Sequence, residues 1–133
     1  MNRREARELA FVLLFEHSFS PASTVREILQ NAGEAREVQA DAFAVELAEG
    51  TVGNLQIIDQ KISEFSLKWN KDRLSRVALS LLRLALYEVM LRDDIPVSVS
   101  INEAVELAKK YAGPDDASFI NGVLGGIVRA QTV

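Results

Sequence analysis

The chain has 133 residues and a formal net charge of −4, from 15 Lys and Arg against 19 Asp and Glu. It is long enough to bury its own core and too acidic to bind nucleic acid over its whole surface, though a local basic patch is compatible with that balance. Cysteine is absent and His17 is the single histidine, which excludes disulfides, thiolate zinc sites and thiol nucleophiles and leaves histidine-based catalysis without its usual partners.

Glycine and proline are sparse and aliphatic residues recur at helical spacing, so the predicted fold class is all-α. Asn2 and Glu5 have capping-box spacing and start a first helix that runs to about His17, where "SFSPAS" breaks it. The short apolar run Leu9 to Phe15 lacks a cleavage pattern and does not read as an export signal. A second helix is expected from about Ala22 to Gln30, with Pro21 at its first turn and Gly33 at its exit. A third spans about Val38 to Phe65, bending near Gly50 and Gly53.

After "LKWNKD", a long helix runs from about Arg73 to Arg92 and stops before Pro96. Its greasiest stretch, Val77 to Leu91, is shorter than the roughly 17–25 residues that span a bilayer and is interrupted by Arg83, so it reads as a core helix and no membrane contact is expected. A further helix is expected from about Ser100 to Tyr111, with Ser100 and Glu103 as its capping box, and a last one from about Ala117 to Arg129, capped by Asp115 or Asp116. Pro96 and the region of Trp69 divide the chain into an N-terminal group of three helices and a C-terminal group, without a flexible linker between them.

Arg3, Arg4 and Arg7 stand in the first turns of a helix, where the macrodipole is already positive and each cation costs about 0.3–1 kcal/mol. On a helical wheel Arg4, Arg7, Phe11 and Phe15 share a face, with Arg3 beside it. Either the rings are core and the arginines a solvated end, or this is a basic and aromatic surface whose anion comes from a partner. Arg76, Ser80, Arg83 and Tyr87 line one side of the long helix; Arg83, flanked by leucines, must snorkel, pair with an acid or face a partner. In "SFINGVLGG" helical spacing opposes the Asn-Gly turn signal; read as helix, Gly122 and Gly126 would admit a close neighbour, while Phe119 is either core or a ring for base stacking. The carboxylate pairs Glu103 with Glu106 and Asp115 with Asp116 sit at helix starts, where acids belong, and "GTVGN" is no phosphate loop; no catalysis, metal or cofactor is expected.

The combination of "LRLALYE", "INEAVELAK" and "FINGVL", within Asp72 to Leu124 and preceded by "RREARELAFVLLF", resembles the NusB family of bacterial transcription antitermination factors. The resemblance implies one NusB-like RNA-binding domain over residues 1–133, with about seven helices in two packed three-helix groups. It further implies a cytoplasmic protein that binds boxA-type single-stranded RNA together with NusE, a small-subunit ribosomal protein, and helps RNA polymerase in the elongation complex resist termination in ribosomal RNA operons. Arg3, Arg4, Arg7, Arg83, Asp115 and Phe119 become the RNA candidates, and Phe11, Phe15, Arg76 and Ser80 the NusE candidates. Phe15 stands where many relatives have tyrosine, and Ala78 where others carry an acid that contacts NusE.

A face exposing Phe11 and Phe15 would also favour a homodimer when the partner is absent. The alternatives are a helical self-association module without RNA affinity and an accessory domain of an RNA cytosine methyltransferase; with no catalytic domain after Val133, the latter needs a longer parent chain. Phosphate binding must weaken with salt, whereas an apolar scaffold contact should not.

Overall fold

A computed structural model of the protein describes residues 2–36, 41–65 and 74–131. Those residues form seven α-helices: α1 Arg3–Phe19, α2 Val25–Arg36, α3 Ala42–Gly53, α4 Leu55–Phe65, α5 Arg76–Leu91, α6 Val97–Tyr111 and α7 Pro114–Gln131. Among the described residues no helix is long and apolar enough to cross a membrane. Trp69, and the expected helix starts at Val38 and Arg73, lie outside the described residues.

Caps explain most of the boundaries. The Asn2 side chain accepts from the Glu5 N–H at 2.8 Å and the Glu5 carboxylate accepts from the Asn2 N–H at 3.4 Å, which is the expected capping box of α1. The second helix begins three residues later than expected, because Thr24 and Glu27 form another such box at 3.1 Å in both directions and leave Pro21 in the preceding turn. Gly33 lies inside α2 rather than after it.

The long third helix is in fact two. The Asn54 N–H turns back to the Thr51 carbonyl at 3.1 Å and its side-chain amide donates to the Gly50 carbonyl at 2.7 Å, closing α3 before α4 starts. In α6 the expected Ser100–Glu103 cap is absent: the helix opens one turn earlier, after Pro96, whose carbonyl accepts from the Val99 and Ser100 N–H groups. The last helix likewise starts earlier, at Pro114, behind Gly113 at φ +125°. A proline at a helix's first position gives up an N–H that would be unpaired there anyway, and the left-handed glycine turns the chain into it. Asp115 and Asp116 therefore sit within the first turn rather than at the cap.

α1, α2 and α3 pack on one another, and α5, α6 and α7 form the second group, with α4 laid on α5 and α7. α5 is central and touches α1, α3, α4, α6 and α7. Leu13, Leu47, Ile58, Ile62, Leu82, Leu86, Leu124 and Ile127 are fully buried in a single core that joins both groups. Each such side chain contributes about 1.5–3 kcal/mol of burial, so the groups fold against each other rather than side by side. Gly122 faces open space and Gly126 meets only the Phe65 ring at ordinary contact distance, which overturns the expectation that this pair admits a close neighbour.

Candidate functional site

Two of the three cations at the start of α1, Arg4 and Arg7, find anions within the chain. Arg7 is only 5% exposed; its guanidinium donates to both Glu88 carboxylate oxygens at 3.0–3.1 Å, and the Ser100 hydroxyl donates to the same carboxylate at 2.9 Å. Glu88 is 1% exposed, so a fully satisfied polar clamp ties α1, α5 and α6 together inside the core. Arg7 is thus withdrawn from the RNA role implied for it, because an ion pair this buried is costly to break.

Arg4 stays exposed, and two of its N–H groups reach the Glu103 carboxylate of α6, both at 3.0 Å. Those hydrogen bonds, followed by the charge of Glu103, hold the guanidinium's pKa above its ordinary value. Arg3 is also exposed and lies over the Phe43 ring of α3, 3.7 Å from the centroid. Arg92, just after α5, pairs with Asp94 at 2.9 Å and Glu46 at 3.4 Å, and its hydrogen bonds depress the Asp94 carboxyl to about 2.

Four other expected contacts are also taken up by the fold. Arg83 pairs with Asp59 of α4 through two 2.9 Å hydrogen bonds, the acid-pairing outcome, and so is not a free phosphate ligand. The Phe119 ring is only 8% exposed and packs into the core, which removes it as an open stacking platform. Phe11 and Ser80 are buried as well, so neither presents a partner surface. Ala78 is buried in the first turn of α5, where its N–H donates to the Ser75 hydroxyl at 3.0 Å.

An exposed aromatic and basic patch does survive at the far end of α1. Phe15 is half-buried, and Phe19 stands edge-on to it at 5.1 Å with 58% exposure. The Arg76 guanidinium lies 4.4 Å over the Phe19 ring and donates to the Ser18 carbonyl at 2.9 Å. In the sequence Phe19 falls in the apparent break after His17, and the signal that marks it is the four-residue spacing of Phe11, Phe15 and Phe19.

Asp115 is exposed at the start of α7, next to Asp116, which accepts from the Ser75 hydroxyl at 3.1 Å. Ser75 and Arg76 begin α5 beside the end of α1, whereas Arg3 and Arg4 sit at its start. Fourteen residues of helix separate Arg4 from Ser18, roughly 20 Å at about 1.5 Å per residue. The surviving candidates therefore occupy two ends of one helix, joined along the side where α6 lies against α1 through Glu8, Lys110 and Tyr111. Hydrogen bonds from Tyr111 and then Lys110 lower the Glu8 pKa. Among the described residues no cluster of His, Asp or Glu could hold a metal ion.

The NusB family model matches residues 4–129. Transcription antitermination protein NusB of Geobacter sp. (strain M21) is 43% identical over 139 residues, covering 98% of this chain and 96% of its own. The structure is similar to T. maritima NusB, with a TM-score of 0.81 and 36% identity over 97% of this chain and 92% of that one. It is also similar to a chain in a crystal structure of antitermination factors NusB and NusE in complex with double-stranded RNA, with a TM-score of 0.82 and 27% identity over 96% of each chain. Matched in sequence and in fold over nearly its whole length, the chain belongs to the NusB family.

Proposed function

We propose that this protein is a transcription antitermination factor that binds boxA-type single-stranded RNA jointly with NusE in the elongation complex and helps RNA polymerase read through terminators, notably in ribosomal RNA operons. The observation that carries the reading is its near-full-length match to transcription antitermination proteins NusB, together with its likeness to a chain from a NusB–NusE–RNA complex. In this reading residues 1–133 act as one RNA-binding domain, cytoplasmic and non-catalytic.

Arg3 and Arg4 are the phosphate contacts and Asp115 lies at the far end of the RNA track. Phe15, Phe19 and Arg76 form the NusE surface. Two exposed arginines on an acidic protein make a weak patch alone. A second protein that adds contacts makes the two bindings mutually reinforcing by linkage.

Fluorescence anisotropy with a boxA-type RNA and a scrambled control, with and without NusE and across a salt series, tests this. Specific binding strengthened by NusE is expected. Arg3→Ala/Arg4→Ala should weaken it and flatten the salt slope by roughly 0.7 per lost phosphate contact. Binding of neither RNA with NusE present would overturn the reading.

A further inference from the structure

Between the starts of α1 and α3 lies a groove of about 510 Å³, lined by Asn2, Arg3, Ala6, Asp41, Ala42 and Phe43. Its aromatic wall, Phe43, is half-buried against the core and has three guanidinium groups around it: Arg3 at 3.7 Å from the ring centroid, and Arg7 and Arg92 each at 5.6 Å. Two of the three are consumed by carboxylates, Arg7 by Glu88 and Arg92 by Asp94 and Glu46. Arg3 alone in this cluster has no ion pair among the described residues, and it is the only one held at stacking distance.

The difference matters chemically. An arginine paired with a carboxylate has two of its five N–H donors engaged and meets a phosphate in competition with that acid, as exposed Arg4 must with Glu103, whereas one held on a ring keeps its in-plane donors unshared. Stacking also restrains a long side chain before binding, so less freedom is lost when the ligand arrives. The Asp94 carboxylate, which Arg92 binds, also feels the charge of Arg3, so part of the cluster's positive charge is balanced within the chain while Arg3 keeps no ion pair of its own among the described residues.

We infer that Phe43 is a positioning residue for RNA binding, a platform that holds the Arg3 guanidinium over the groove with its donors free for a phosphate of the bound strand. The inference rests on the RNA-binding reading above. Phe43 touches Arg3 rather than the RNA, and acts through it. Arg3, and not Arg7 or Arg92, is then the arginine of this cluster that meets the backbone.

A double-mutant cycle in RNA binding tests it, with wild type, Phe43→Leu, Arg3→Ala and the pair, each mixed with NusE and a boxA-type RNA. Phe43→Leu keeps an apolar side chain and removes the ring face, and each variant's unfolding midpoint is measured beside its affinity. Arg3→Ala is expected to weaken binding about tenfold with a shallower salt slope. Phe43→Leu should weaken it about threefold to fivefold and do nothing further in the Arg3→Ala background, while Phe43→Tyr, which keeps the platform, should bind like wild type. In the free protein the Arg3 Nε–H order parameter should fall on Phe43→Leu. Additive effects of the two changes, or an unchanged affinity on Phe43→Leu, would overturn the platform and leave the RNA reading standing. A wild-type protein that binds no RNA with NusE present would overturn both.

Discussion

Glu88 shows how a charge settles inside this protein. Its carboxylate is buried in a helix whose neighbours are leucines, and it is tolerated because Arg7 and Ser100 saturate it. Removing one partner leaves the other charge without compensation, so Arg7→Ala should cost about 3–5 kcal/mol, read as a lower urea midpoint. Replacing both charges, as Arg7→Met with Glu88→Leu, should recover most of that loss; a neutral Arg7→Ala would show that the clamp is not holding these helices. At Arg4 the same chemistry has the opposite consequence, because Glu103 occupies the donors that a phosphate would need. Glu103→Gln should therefore raise RNA affinity about twofold to fivefold at low salt, a gain that fades as salt screens the released charge. An unchanged or lower affinity would mean that Arg4 does not meet the RNA. His17 reports on the interior in another way. Burial, and then the nearby charge of Arg83, lower its pKa below the ordinary 6.5, so the folded protein binds this proton less tightly than the unfolded chain does. Stability from this group is complete above pH 6.5 and is lost as pH falls below it. Glu8 and Asp94 titrate in a more acid range, since their pKa values are lowered from carboxylate values of 4.5 and 3.8. Between pH 7.5 and 5.5, denaturation should show wild type losing more stability than His17→Gln; parallel curves would rule the imidazole out.

At the scale of elements, the junction of α3 and α4 is where local pattern and packing disagree. Periodicity carries through Val52, Leu55 and Ile58, yet the chain breaks at Asn54, whose backbone and side chain both cap the end of α3. The break lets the two helices follow different neighbours, α1 and α2 for α3, α7 for α4. Gly50 belongs to this arrangement, because a Cβ there would overlap the Tyr87 ring of α5. Gly50→Ala is expected to destabilise by about 1–3 kcal/mol in spite of its better helix propensity, and Tyr87→Leu should relieve part of the penalty. If Gly50→Ala stabilised the protein, the close approach of α3 to α5 would be wrong. Capping pairs divided unevenly at this scale. Asn2 with Glu5 forms the cap that its spacing predicts, and Thr24 with Glu27 forms another where the sequence pattern places Pro21 at the helix start. Ser100 with Glu103 had the same spacing and formed no cap, since Ser100 is claimed by Glu88 and Glu103 by Arg4. A spacing identifies what two side chains are able to do for each other; a stronger partner elsewhere in the fold decides whether they do it.

Over the whole molecule, α1 carries charge at one end and aromatic surface at the other. The expected self-association face shrinks once Phe11 is seen to be core: what remains exposed is Phe19, with half-buried Phe15 and Arg76 beside it. Phe19→Ala should weaken binding to NusE about tenfold or more while the unfolding free energy stays within about 0.5 kcal/mol of wild type. Isothermal titration with NusE alone checks this, and an unaltered affinity would move the partner surface off the end of α1.

Helix content, the buried long helix, the lack of cysteine and the family resemblance were all determined by the sequence alone, because each depends on residue identity at short range: period, composition and contiguous motifs. The roles of the arginines were not. Arg3, Arg4, Arg7 and Arg83 look alike along the chain, and only packing set one on a ring, one against a surface acid, one in a buried clamp and one against α4. Their partners lie tens of residues away in sequence, up to 99 for Arg4 and Glu103. No periodicity reaches that far. The free energy of a charge depends on its solvation and on the nearest opposite charge, both of which are properties of the assembled fold.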